Sequence, residues 1–133
     1  MAEEFKNIKV KKVLEKPFVN TSHATIDEVY NQLKASPQGM VAIVSPDEKL
    51  TGVVTNTSLA SGLMKEKPSS IDEVMQTTPI SINQEVNIGE AIRVMNDSRV
   101  DQLPVVDEEN KLVGIISREG VRRELNKHLK IKL

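Results

Sequence analysis

Residue types able to do covalent or metal chemistry are few in this chain and poorly spaced for it. His23 and His128 fall in a loop-like stretch and near the C-terminus, with no aligned nucleophile. The acidic pairs Asp27-Glu28, Asp47-Glu48 and Glu108-Glu109 sit at an expected helix start and in expected turns, where solvated carboxylates are ordinary. There is no cysteine, which removes thiol catalysis, redox sensing and Cys-type zinc sites and fits a reducing compartment. A Gly-rich phosphate loop, a His-rich metal spacing and a Ser elbow are all missing. An enzyme is therefore not expected, and no catalytic residue, metal ligand or cofactor is assigned.

Binding chemistry has more to work with. Arg118, Arg122, Arg123, Lys127, Lys130 and Lys132 crowd the C-terminal stretch against only Glu119 and Glu124. They read either as a solvated helix end whose cations suit the C-terminal dipole or as a phosphate-binding surface. The net charge is −1 and the aromatics are only Phe5, Phe18 and Tyr30, too few for stacking platforms, so nucleic acid is not expected. Met1-Ala2-Glu3-Glu4 is acidic where a signal peptide is basic. The longest apolar run, Met40 to Val44, is too short for a bilayer. The expected location is the cytoplasm, with no membrane partner. At 133 residues, roughly 65–70% of the unfolded surface can be buried without disulfides or metal.

The elements that would position any site occur twice. A shift of 62 residues superimposes Gly52 on Gly114 and matches Pro17/Pro79 to Leu63/Leu125 without a gap. Nine pairs are identical: Pro17/Pro79, Ile26/Ile88, Glu28/Glu90, Ser36/Ser98, Val44/Val106, Lys49/Lys111, Leu50/Leu112, Gly52/Gly114 and Leu63/Leu125. Each copy opens a helix with a start signal, Thr25-Ile26-Asp27-Glu28 as a capping box and Asn87 as its counterpart cap. Apolar positions follow at helical spacing: Ile26, Val29, Tyr30 and Leu33, then Ile88, Ala91, Ile92 and Met95. Two β-rich runs around a polar turn come next, Val41 to Val44 with Leu50 to Thr55, and Leu103 to Val106 with Leu112 to Ser117. A closing helix carries Leu59 and Leu63, or Val121 and Leu125. A short first strand lies near Phe18 or Ile80, and a one-turn element (Val10/Val13/Leu14, or Ile71/Val74/Met75) precedes it.

This pattern predicts an α+β (mixed α/β) fold of duplicated β-α-β-β-α units sharing one core. The repeats span 8–64 and 71–126, with a linker at 64–70 and a C-terminal tail at 127–133. Ile8 and Val10, like Leu129, Ile131 and Leu133, alternate with lysines. Paired terminal strands and frayed tails both fit that alternation.

The ordered set resembles the CBS domains, named from cystathionine β-synthase, which usually occur as tandem pairs. Copy two carries it most clearly: Ile71-Asp72-Glu73-Val74-Met75, Thr78-Pro79-Ile80, Leu103-Pro104-Val105-Val106-Asp107 and Leu112-Val113-Gly114-Ile115-Ile116-Ser117. Copy one keeps Pro17, Ile43-Val44 and Leu50-Thr51-Gly52-Val53-Val54-Thr55. The resemblance implies units packed about a pseudo-twofold axis, ligand clefts, a homodimer, and a regulatory role in which an adenosine-type ligand (an adenine nucleotide or S-adenosylmethionine) modulates a partner protein. It implies no cofactor beyond that regulatory ligand. In the family a glycine ends the last strand, a Ser or Thr three residues on bonds the nucleotide, and an Asp six on grips the ribose hydroxyls.

Gly52/Thr55 and Gly114/Ser117 match the first two positions, though a hydroxyl there serves equally as a helix cap. The Asp is replaced by Ser58 in copy one and Gly120 in copy two, and losing a charge-assisted bond costs about 1.5–3 kcal/mol. Glu119 is adjacent, but one helical residue turns it about 100° away. Restoring Asp at 120 is accordingly expected to raise nucleotide affinity. Phe18 and Ile80 would border the clefts, Pro79, Leu103 and Pro104 belong to the same signature, and Arg118 is the phosphate candidate. The alternative is a ligand-free dimerisation or protein-interaction module with a degenerate site.

Overall fold

A computed structural model describes residues 2–65 and 67–132. In chain order its elements are α1 (Ala2–Lys6), a 3₁₀ turn (Val10–Lys12), β1 (Phe18–Asn20), α2 (Ile26–Ala35), β2 (Met40–Val44), β3 (Leu50–Thr55) and α3 (Asn56–Leu63). A second 3₁₀ turn (Ile71–Glu73) follows, then β4 (Gln76–Thr77), β5 (Ile82–Asn83), α4 (Ile88–Ser98), β6 (Gln102–Val106), β7 (Leu112–Ser117) and α5 (Arg118–Lys132). The mixed α and β fold is as expected. The first residues of α2 and α4, β2 and β6, β3 and β7, and α3 and α5 each differ by the 62 residues of the repeat.

Contacts divide the chain into two compact units. One holds Pro17–Pro79 with Glu109–Leu112 and is called here the first-copy unit. Its sheet runs β1-β2-β3-β4. β1 lies parallel to β2 with Phe18 opposite Val41, and β2 and β3 form the antiparallel hairpin with Val41 opposite Val54. β2 is buried over Met40–Ile43, as a strand covered on both faces must be. Thr25 caps α2 by accepting from the Glu28 amide at 3.1 Å. The helix then lays Val29 and Leu33 on the sheet beside Ile43, Val54, Leu59, Ile71 and Val74.

Two side chains expected in this core are outside it. Tyr30 is 46% exposed, its ring lying under the Lys34 ammonium at 4.8 Å. Leu63 is 51% exposed; Gly62 faces inward instead, so close to the Glu73 carbonyl and Val74 that a Cβ there would fall 2.5–2.7 Å from them.

The other unit, called here the second-copy unit, joins the segment up to Lys16 with Ile80–Glu108 and the chain from Val113 onward. Its sheet runs β5-β6-β7, β5 parallel to β6 with Ile82 opposite Val105. The first strand of this copy thus begins at Ile82, past Ile80, which is 44% exposed in coil. Asn87 caps α4 through the Glu90 amide at 2.8 Å. Ile88, Ala91 and Met95 then pack with Leu103, Val105, Ile116 and Val121. Phe5 of α1 and Val10 of the first 3₁₀ turn join the same cluster. Buried apolar side chains gather into a cluster within each unit.

Sequence repeat and compact unit therefore divide the chain differently. Glu15 pairs with Ile115 through both amides, at 2.8 and 3.0 Å. Gln76, 61 residues on, pairs with Val53, the counterpart of Ile115. The segment ahead of copy one thus edges the sheet of copy two, and the segment ahead of copy two edges the sheet of copy one. The two alternating stretches do not pair with each other: Lys9 makes an isolated antiparallel bridge with Asn87 before the 3₁₀ turn, and α5 runs as a helix to Lys132. Leu133 lies outside the described residues.

Candidate functional site

In both copies the last strand of the hairpin turns straight into a helix, and the turning residue carries a hydroxyl. Thr55 ends β3 and caps α3. Its Oγ1 accepts from the Ser58 amide (3.1 Å), while the Ser58 Oγ accepts from the Thr55 amide (2.9 Å). The pair forms a closed box that satisfies two orphan donors. A shallow cavity of about 330 Å³ opens beside it, lined by Thr55, Ser58, Ser61, Lys65, Glu73 and Gln76 among others. Hydrogen bonds from the Ser69 amide, and then from Ser70, hold the Glu73 carboxyl below the ordinary carboxylate range, so this wall is anionic at neutral pH. Gly52, three residues before Thr55, is approached by the protein's own chain: a Cβ there would meet the Met75 sulfur at 2.7 Å and the Gln76 carbonyl at 3.0 Å. Phe18 is half-buried at the edge of the core cluster.

Ser117 is the counterpart in copy two and is 7% exposed. Its Oγ accepts from the Gly120 amide (3.0 Å) and donates to the Glu15 carboxylate (2.5 Å). Gly114 lies against Leu14 and the Glu15 carbonyl, each 3.2 Å from where a Cβ would stand. At Gly120 a Cβ would fall 2.1 Å from Glu15 Oε2 and 2.9 Å from its Cδ. An aspartate at 120 would therefore drive one carboxylate into another, and the gain in affinity expected from restoring it does not follow unless Glu15 moves.

The remaining sequence candidates scatter. Arg118 donates from Nε to Asp101 Oδ1 at 2.9 Å in an exposed ion pair. Leu103 and Pro104 are buried in β6, Leu103 as part of the core cluster. Pro79 is half-buried and Ile80 exposed. Arg122 pairs with Glu119, holding that carboxyl below its ordinary range. Among the described residues, no group of three or more His, Asp or Glu side chains is placed to hold a metal ion. No helix among them is long and apolar enough to cross a membrane.

Sequence reasoning missed Glu15. Ser117, which donates to its carboxylate, lies 102 residues away, and the signal in the chain is the 61-residue offset of Glu15 from Gln76. A further cavity of about 230 Å³, lined by Thr21, His23, Ser45, Thr51 and Asp72 among others, was also not anticipated.

Residues 71–127 match the CBS domain family. Over 97 residues, 73% of its length, the chain is 28% identical to an inosine-5′-monophosphate dehydrogenase from Methanocaldococcus jannaschii, of which it spans only 19%. Among solved structures it is similar to the CBS domain pair of protein MJ0100 in complex with 5′-methylthioadenosine and S-adenosyl-L-methionine. That likeness has a TM-score of 0.78 and 26% identity, over 90% of this chain and 97% of that one. A CBS domain-containing protein from Thermotoga maritima, TM0935, is similar at a TM-score of 0.75 and 25% identity, over 91% of this chain and 96% of that one.

Proposed function

This chain is a tandem CBS-domain pair, and on that premise we propose that it is a regulatory module which binds an adenosine-type ligand and modulates a partner protein. The observation that carries this reading is the cavity beside the Thr55–Ser58 cap, where hydroxyls, Lys65 and Gln76 line an opening next to the start of α3. A few hydrogen-bonding groups set beside the apolar Met75 are the mix by which a pocket orients a small ligand such as a nucleoside. The likeness to the MJ0100 pair, solved with 5′-methylthioadenosine and S-adenosylmethionine, supports the ligand class. The module regulates rather than catalyses, and acts as a cytoplasmic homodimer for which exposed Tyr30, Leu63 and Met64 offer apolar surface.

One observation favours a second reading, a ligand-free dimerisation or interaction module. Thr55, Ser58 and Ser117 already use their hydroxyls on the chain's own groups. Thermal melting against AMP, ATP, 5′-methylthioadenosine and S-adenosylmethionine separates the two, because a ligand of the folded state stabilises by about 2.7 kcal/mol at a hundred times its Kd. The regulatory reading expects one of them to raise Tm in a dose-dependent way, on a sample whose light-scattering mass is that of two copies. No shift with any of the four leaves the interaction module.

A further inference from the structure

We propose that the cavity of about 230 Å³ between the β1–α2 loop, the β2–β3 turn and the second 3₁₀ turn is a second small-molecule site, and that it takes a small organic ammonium compound with a compact apolar body. The site lies wholly within the first-copy unit and does not depend on the adenosine-type reading of the cavity beside Thr55.

Three anchored turns build it. The Ala24 amide closes on the Thr21 carbonyl at 3.2 Å, and the Glu48 amide on the Ser45 carbonyl at 2.9 Å. The Val74 and Met75 amides both bond to the Ile71 carbonyl at 3.0 Å, with Ile71 and Val74 sunk in the core cluster. Asp72 stands between those two anchors, so a fixed backbone carries it although its side chain is exposed. Val44, Pro46 and Met75 supply the apolar wall. Met75 is seated over Gly52, where a Cβ would stand 2.7 Å from its sulfur, and it is the one residue common to the linings of the two cavities.

Charge sets the ligand class. The Thr51 hydroxyl donates to the Ile43 carbonyl (3.1 Å), that of Ser45 donates to the Asp47 carboxylate, and that of Thr21 accepts from the His23 amide (3.3 Å). Asp72 is unlike its neighbour Glu73, which is bonded to Ser69 and Ser70: among the described residues it makes no ion pair and no side-chain hydrogen bond. Neither Lys nor Arg lines the cavity among them. A carboxylate accepts and cannot donate, and here its capacity is unspent beside an apolar wall. A cation with one apolar end satisfies both, whereas an anion meets a like charge. The methionine sulfur also favours contact with an aromatic ring. The volume is that of about eight waters at ~30 Å³ each and falls below the ~300–1,000 Å³ of sites for larger ligands, which suits a compound of about eight non-hydrogen atoms.

The test titrates the full chain at neutral pH with benzylamine, an ammonium under those conditions, and with benzyl alcohol and benzoate as neutral and anionic compounds of similar size. The amide resonances of Ser22, His23 and Asp72 are followed by NMR. Benzylammonium is expected to move these signals saturably and to bind about threefold or more tightly than benzyl alcohol, the scale of an exposed ion pair. Benzoate is expected to bind weakest, and the preference to shrink in high salt. Asp72→Asn, an exposed substitution whose melting curve establishes that it is folded, is expected to bind benzylammonium no better than benzyl alcohol and to leave the affinity for the alcohol unchanged. An unsaturable response, equal affinity for the three compounds, a preference that survives in D72N, or shifts confined to Thr55 and Ser58 would each overturn the assignment. Adenosine compounds bind or fail to bind beside Thr55 and Ser58 independently of these outcomes, so the two readings stand or fall separately.

Discussion

At the scale of single residues, close approach of the chain to itself accounts for more of the glycines than ligand access does. Gly62 is buried in α3, and a Cβ there would stand 2.5 Å from the Glu73 carbonyl, 2.6 Å from Val74 Cγ1 and 2.7 Å from Val74 Cα. Two of those three atoms are backbone and cannot rotate away. Alanine gains about 1 kcal/mol of helix propensity over glycine, while overpacking a fitted core costs about 1–3 kcal/mol. With three separations this short the cost wins. Gly62→Ala is expected to destabilise by about 1–2 kcal/mol, read as a fall in the urea midpoint at constant m. Gly114→Ala meets its neighbours only at 3.2 Å and is expected to stay within about 1 kcal/mol of the parent. Equal midpoints for the two variants would contradict this account of Gly62. The hydroxyls of Thr55 and Ser117 were legible in the sequence because they follow a glycine at fixed spacing in both copies. Glu15 was not, since nothing local marks a side chain whose partners arrive about a hundred residues later.

Elements were legible where they repeat and obscure where they do not. The helices α2 and α4 and the two hairpins announce themselves by caps and apolar spacing, and they appear at the predicted offset. The C-terminal stretch was ambiguous because Leu129, Ile131 and Leu133 alternate with lysines, a period of two. Val121, Leu125 and Leu129 are also four apart, and a helix once nucleated at Arg118 propagates at little further cost. At the other end, the N-terminal segment is tied to its unit by charge as well as by packing: Glu85 accepts from Lys9 (2.9 Å) and from Lys11 (2.8 Å). The Lys11 and Lys9 bonds hold the Glu85 carboxyl below its ordinary value of 4.5. A carboxylate whose folded value is depressed adds stability above its unfolded value, and that stability is lost as pH falls through the folded value. Glu85→Gln is therefore expected to flatten the acid limb of Tm against pH below about 4.5. The difference between the parent and E85Q should shrink in high salt, since the pair is exposed. Parallel acid limbs for the two proteins would show that Glu85 contributes nothing to them.

For the whole molecule, the exchange of leading segments sets which pieces of chain can stand alone. Cutting between the repeats gives Met1–Lys67. That piece keeps Phe5 and Val10, whose cluster partners Ile88, Leu103 and Ile116 are gone. It also lacks Ile71 and Val74, which are almost wholly buried in the first-copy cluster, and the edge strand β4. Pro17–Pro79 follows the contacts instead: it holds all four strands of its sheet, both helices and the second 3₁₀ turn, losing only Glu109–Leu112 from its unit. Both pieces are small enough to bury only about 60% of their unfolded surface. The difference in stability is then decided by whether the core is complete. Two side chains the size of Ile and Val removed from a core cost several kcal/mol together, at about 2–5 kcal/mol for a truncation to Ala, against a total of about 5–15 kcal/mol for a whole domain. Pro17–Pro79 is accordingly expected to melt cooperatively by circular dichroism, and Met1–Lys67 to show no cooperative transition although it is slightly longer. The order of the two outcomes is the informative part. If Met1–Lys67 melts as sharply as Pro17–Pro79, the leading segments are not exchanged and each repeat folds on its own residues; if only Pro17–Pro79 folds, the unit of stability is the interleaved one.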